Sequence, residues 1–155
     1  MIGAMSNNDD TKIGAEATRT LVLGDAKARI GAVRYAVTID VGRHVLVADE
    51  PKVLGGRDAG PPPFGILVAA LGACTSATLK MYAEHKGWPL ASLQVHLRYL
   101  RSHPEGGDRI ERLLTIEGLD EDQRAKLADV AERTPVTLAL KGGVAIETKL
   151  ADGQA

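Results

Sequence analysis

Length, composition and charge limit the kinds of protein that this chain can be. It has 155 residues, the size of one globular domain, and its 45% hydrophobic and 25% charged residues predict a folded chain. The formal net charge of -1 gives no overall positive field that would favour nucleic acid or an acidic membrane surface. A single cysteine excludes an intramolecular disulfide and a multi-cysteine metal site, and it is typical of a reducing compartment. We therefore expect a cytoplasmic protein without nucleic-acid or membrane partners.

The two ends of the chain are polar, and the part between them reads as one unit. Residues 1–17 contain neither the apolar run of a signal peptide nor a membrane span, so we expect a flexible N-terminal tail there. No internal repeat or low-complexity tract divides the rest. We expect a single domain over residues 18–151 and a short tail at 152–155.

Three strands and a loop are predicted at the start of this domain. Residues 20–23 and 28–40 are rich in Val, Ile, Leu and Thr around the turn pair Gly24-Asp25, which is typical of a hairpin. A third strand is predicted at His44–Ala48. The segment from Pro51 to Pro63 is dense in Gly and Pro, so we expect a stiff loop without regular structure.

A long helix is predicted at Phe64–Lys86. Pro63 suits its first turn, and Gly87 and Pro89 favour its end. Apolar or small side chains occupy nearly every face of this helix. That pattern is typical of a helix that is buried all round or packed at a subunit interface.

The last third of the chain predicts a second hairpin, a second helix and a closing strand. Leu93–Leu100 alternates apolar and polar residues, and Arg109–Ile116 is its predicted partner. A capping-box spacing starts a helix over Asp120–Arg133, and Val144–Leu150 is predicted as the last strand. The order β-β-β-α-β-β-α-β separates helices from antiparallel hairpins, which indicates the α+β class.

Few familiar chemical motifs are present. The four histidines lack metal-ligand spacing, and the sequence contains no phosphate-binding loop and no nucleophile elbow, so we expect no metal and no cofactor. Cys74 remains as the candidate for chemistry. Because free cysteine is among the most buried residue types, packing inside the long helix is the alternative reading.

Three segments around Cys74 share a specific pattern: DEP at 49–51, GGRDAGPPPF at 55–64 and LVAALGACTSATLKMYAEHKGWPL at 67–90. Together they resemble the OsmC/Ohr family of organic hydroperoxide reductases, and the OsmC-like branch more than the Ohr branch. The resemblance implies an intertwined homodimer in which antiparallel sheets wrap around long central helices. It also implies active sites at the subunit interface.

The resemblance further implies roles for individual residues. The family's peroxidatic cysteine, which matches Cys74, attacks the O–O bond as a thiolate and is helped by an arginine and a glutamate. Glu50 matches the glutamate, and Arg43 and Arg57 are the two candidates for the arginine. The positive charge of a nearby guanidinium lowers the pKa of a cysteine thiol and so favours the thiolate. For each of these loop residues, a solvated surface charge is the alternative.

The sequence departs from the family at the position of the second cysteine. That residue usually stands immediately before the Pro-Val that follows the second helix, and here the position is Thr134. A hydroxyl cannot form a disulfide, so an external thiol or dithiol is expected to recycle Cys74 in a peroxidase that reduces organic hydroperoxides under oxidative stress. One alternative is a dimer that has lost this activity and binds a small apolar or acyl ligand. Another is a partner-binding domain in which Cys74 only packs.

Overall fold

The fold is seen in a computed structural model, which describes residues 20–102 and 106–151. The predicted tails at 1–17 and 152–155 lie outside the described residues. The elements, in chain order, are β1 (Lys27–Ile30), β2 (Val37–Val41), β3 (His44–Ala48), a single 3-10 turn (Lys52–Leu54), α1 (Pro63–His85), β4 (Ser92–Leu100), β5 (Arg109–Glu117), α2 (Glu121–Ala131) and α3 (Pro135–Gly142).

The strands form two antiparallel sheets, which confirms the α+β class. In the first sheet β2 lies between β1 and β3, and in the second β4 pairs with β5 over their whole length, from Ser92 opposite Glu117 to Leu100 opposite Arg109. One face of β5 is turned inward, with Ile110, Arg112, Leu114 and Ile116 half-buried. The bounds of β3, α1, β4 and β5 agree with the sequence prediction to within one residue at each end.

The first predicted hairpin differs from the observed one. Residues 20–23 are exposed and form no strand, and β1 begins only at Lys27. The predicted strand over residues 28–40 is split by a turn in which the Ala36 N–H donates to the Val33 carbonyl at 3.1 Å. The composition predicted extended backbone, but a strand also needs a neighbour for its hydrogen bonds.

The C-terminal part also differs from the prediction. The helix predicted over Asp120–Arg133 ends at Ala131, and Pro135 starts a further helix, α3, because its fixed φ and missing N–H suit the first helical position. Val144–Leu150 is exposed and is not a strand, and the described part of this chain places no other strand beside it. Its Val, Ile and Leu side chains are more than two-thirds exposed.

The core lies between α1, α2 and the second sheet. Leu79, Leu119, Leu127 and Ala131 form its buried centre, and Leu79 and Leu127 are wholly inaccessible. On α1 the buried residues recur every four positions, which places them in one stripe along the helix (Leu71, Thr75, Leu79 and Ala83). The remaining faces of α1 are exposed or half-exposed in the single chain.

By length and composition α1 could cross a membrane. The criterion is weak for one helix, because the core helix of a globular protein meets it too. Here α1 packs against β4, α2 and α3.

Candidate functional site

Cys74 lies near the middle of α1 and is half-buried. Leu67 and Leu71 precede it by seven and three residues, so the three side chains share one side of the helix. Both leucines line a cleft of about 520 Å³ between α1, the hairpin β4–β5 and α3. Cys74 therefore follows the two leucines that form one wall of this cleft, although its own side chain is not part of the lining.

Arg112 on β5 reaches the turn of α1 that carries Cys74. One guanidinium nitrogen donates to Thr75 Oγ1 at 3.2 Å and to Thr137 Oγ1 at 3.0 Å, and the other donates to Glu132 Oε1 at 2.8 Å. Only 11% of the Arg112 side chain is exposed. One cation thus joins α1, β5, α3 and the residue that follows α2.

Arg112 was not predicted as a site residue, although the sequence carried a signal. It stands at an inward-facing position of β5, between Ile110 and Leu114, where the strand alternation calls for an apolar side chain. A buried charge needs partners to offset its lost hydration. An arginine at that position therefore indicates a polar cluster inside the fold.

Thr134 is fully buried at the start of α3. Its hydroxyl lies 2.7 Å from the Thr137 hydroxyl, which in turn donates to the Ala131 carbonyl at 3.2 Å. Because Arg112 bonds both Thr137 and Thr75, a continuous polar chain runs from Thr134 to the neighbour of Cys74. The chain ends at Thr75, the residue next to Cys74, and it runs through residues that the sequence analysis did not single out.

Glu132 closes this cluster at the surface. Its carboxylate is shared between Arg112 and Lys141. The hydrogen bond from Lys141, and then that from Arg112, holds the pKa of the Glu132 carboxyl below its usual value. The group stays ionised, so the two cations and the carboxylate remain paired at neutral pH.

Asp49 organises the loop that contains two of the predicted site residues. This carboxylate is 2% exposed and accepts the backbone N–H of Glu50 at 2.8 Å, of Arg57 at 3.0 Å and of Ala59 at 3.1 Å. The bond from Ala59 contributes most to the lowered pKa of Asp49. Glu50 and Arg57 are thereby tied to one anchor, although the sequence analysis assigned no role to Asp49 itself.

The other predicted residues are further apart. Arg43 precedes β3 and Glu50 follows it, so a five-residue strand, about 17 Å long, lies between them. Cys74 lies eleven residues beyond Pro63, or about 16 Å along the helix axis from the point where the loop enters α1. Glu50 and Arg57 are linked through Asp49, to which both donate a backbone N–H, but among the described residues no hydrogen bond joins either of them to Arg43 or Cys74.

The described residues also show how the side chains that commonly bind metal ions are arranged. No group of three or more His, Cys, Asp or Glu side chains is placed there to hold a metal ion. The chemistry of the site thus consists of one thiol, a buried arginine, a run of hydroxyls and a cleft with charged and apolar walls.

A family model described as OsmC-like protein matches residues 55–149, which is more than half of the sequence and contains α1, Cys74 and the Arg112 cluster. The chain belongs to the OsmC-like family. The match confirms the resemblance that the segments around Cys74 indicated. A search of curated proteins found no match.

Solved structures have the same OsmC-like fold. The organic hydroperoxide resistance protein OsmC from Legionella pneumophila has 23% identity and a TM-score of 0.61, with 80% of this chain and 93% of that one covered. An OsmC-like protein from Mycoplasma pneumoniae has 23% identity and a TM-score of 0.66, covering 77% and 87%. The organic hydroperoxide resistance protein OhrB of Bacillus subtilis has 20% identity and a TM-score of 0.56, covering 79% and 93%.

Proposed function

We propose that this OsmC-like protein is a thiol-dependent peroxidase that reduces organic hydroperoxides through Cys74, as a homodimer in the cytoplasm. The observation that carries the proposal is the position of the sequence's single cysteine. It stands on α1 inside the family match, in line with the wall of the cleft. The names of the Legionella and Bacillus proteins, which refer to organic hydroperoxide resistance, support the substrate class.

The reaction takes place in two parts. In the first, the Cys74 thiolate attacks one oxygen of ROOH, the O–O bond breaks, and Cys74 becomes a sulfenic acid while the alkoxide takes a proton and leaves as ROH. In the second, an external thiol reduces the sulfenic acid, since Thr134 offers a hydroxyl where a second thiol would be needed. Small thiols that could act as this external reductant are kept reduced in the cytoplasm.

A second copy of the chain supplies what one chain leaves incomplete. The single chain exposes Met81 and the alanine faces of α1, and it exposes the strand-like segments 20–23 and 144–150. Packing of two α1 helices covers the apolar faces, and the exposed segments gain partners for their backbone hydrogen bonds. The same packing brings a loop with Glu50 and Arg57 from one copy to Cys74 of the other.

The decisive experiment follows the loss of tert-butyl hydroperoxide with dithiothreitol as reductant. Wild-type protein should consume the peroxide catalytically, and its intact mass should rise by one oxygen when no thiol is present. Cys74→Ser should abolish both signals, and the matched control Ser76→Ala, two residues away on α1, should retain them. Peroxide consumption that survives in Cys74→Ser contradicts the proposal, as does an unmodified Cys74.

A ligand-binding protein without turnover is the second candidate. The apolar walls of the cleft and the threonine at position 134 favour it. Native mass spectrometry of the purified protein separates the two functions. A copurifying acyl compound together with no peroxide consumption supports binding alone.

A further inference from the structure

We propose that the cleft beside Cys74 binds a low-molecular-weight thiol that carries a carboxylate, and that this anionic thiol is the reductant of oxidised Cys74. The proposal rests on the proposed function, whose reductant it identifies by chemical class. The proposed reductant is a free small molecule, because the cleft that would bind it has a limited volume.

The charges that line the cleft favour an anion. Among the described residues, its lining contains the cations Arg109, Arg112 and Lys141 and the carboxylates Asp108 and Glu132, an excess of one positive charge. The whole chain has a net charge of -1, so this excess is local. An entering carboxylate meets the nearly buried guanidinium of Arg112, where the dielectric is low, and two more exposed cations, each of the three already paired with a glutamate whose place it can share.

The cations differ in how firmly they are held. Arg112 is fixed by two hydroxyls and by Glu132, whereas Lys141 and Arg109 are more than half exposed. Glu132, itself about half exposed, spans Arg112 and Lys141. The carboxylate of the small thiol can share these donors with Glu132, since an arginine and a lysine together carry up to eight N–H groups.

The remainder of the cleft suits the body of a small thiol. Leu67, Leu71, Ile110 and Leu140 give it apolar walls. Its volume of about 520 Å³ lies within the roughly 300–1,000 Å³ that is typical of small-molecule pockets. Because Leu67 and Leu71 share a side of α1 with Cys74, a molecule anchored at the cations can extend its thiol along this wall towards the sulfur.

The reductive steps balance with two equivalents of the thiol. The first thiol attacks the Cys74 sulfenic acid, an S–S bond forms, and the hydroxyl leaves as water. The second attacks the mixed disulfide, the Cys74 thiolate is released and takes a proton, and the two small thiols leave as their own disulfide. Binding of the carboxylate raises the rate of both attacks, because it converts an encounter in solution into a reaction of a held partner.

The test uses two thiols that differ by one charge, N-acetylcysteine and N-acetylcysteine amide, compared at equal thiolate concentration. Cys74 is first loaded as a mixed disulfide with 2,2′-dithiodipyridine, and the release of pyridine-2-thione gives the rate of thiol attack. This assay requires no peroxidase activity. We expect the anionic thiol to react about tenfold faster than the amide, which corresponds to about 1.4 kcal/mol. The advantage should shrink as the salt concentration rises.

Substitutions then locate the source of the advantage. In the double variant Lys141→Gln and Arg109→Gln the ratio of the two rates should fall to near one. The matched control is Arg98→Gln, which removes an exposed arginine of β4 that does not line the cleft. This control should keep the ratio, and thermal unfolding of each variant shows that the fold is retained.

The outcomes of the two proposals are separable. A wild-type ratio near one overturns the anionic-thiol proposal, and so does a ratio that survives in the double variant. If Cys74 is inert to hydroperoxide but the anionic thiol keeps its charge-dependent advantage, the peroxidase fails while the thiol site stands.

Discussion

Arg112→Ala gives the most direct test of the polar cluster, because it removes the one side chain that joins all its parts. The substitution takes hydrogen bonds from Thr75, Thr137 and Glu132. Thr75 still donates to the Leu71 carbonyl at 2.8 Å, and Thr137 keeps its bond to Thr134. No hydroxyl is left unsatisfied, so the loss comes from the charged bonds and from the space that the side chain leaves.

The expected loss of stability is moderate. Hydrogen bonds to charged groups contribute about 1.5–3 kcal/mol each. The guanidinium also gave up hydration when it was buried, and its removal recovers part of that free energy. We therefore expect Arg112→Ala to lower the free energy of unfolding by about 2–4 kcal/mol in total. At an m value of about 2 kcal/mol/M, this moves the urea midpoint down by about 1–2 M.

Urea unfolding at equal protein concentration measures this loss, since the stability of an oligomer depends on concentration. Arg98→Ala is the matched control, because Arg98 is also a strand arginine paired with a glutamate but is 63% exposed. Its effect should be far smaller, as surface pairs contribute little. Equal midpoints for the two variants would refute the view that Arg112 holds the helices and the sheet together.

Three further predictions concern single positions. Asp49→Asn should destabilise the protein at pH 7. Because folding lowers the pKa of this carboxyl, the difference in stability from wild type should decline as the pH falls below about 3.8, which urea unfolding at pH 7 and pH 3 measures. Carbon-detected NMR should give Asp129 a pKa of about 2, rising in Arg133→Gln, which removes the largest cause of the shift; no rise would contradict that pairing. Gly60→Ala should lower the melting temperature, since its Cβ would overlap a β3 carbonyl, whereas Gly24→Ala has open space and should not.

Several parts of the fold follow from local patterns in the sequence. The alternation of β4 and β5, the Pro and Gly residues around α1 and the capping box of α2 all act within a few residues, so their elements were predicted nearly to the residue. The segments around Cys74 indicated the family for the same reason, because they form an almost continuous stretch of chain.

The composition of the chain ends was a weaker guide. Residues 20–23 and 144–150 have the side chains of strands but lie exposed without partners in the described chain, since a strand forms only where another lies beside it. Pro135 could be read as the end of one helix or the start of the next. In the structure Pro135 starts α3, and this helix packs against α1.

By itself the sequence determined the α+β class, the long helix and the place of its single thiol along that helix. Only the tertiary structure decided what surrounds the thiol. It brought Arg112, Thr137 and Thr134 to the turn after Cys74, and it tied Glu50 and Arg57 to Asp49. The physical reason is distance along the chain: the partners of Arg112 lie 20 to 37 positions away from it and meet it only through packing, which no local pattern records.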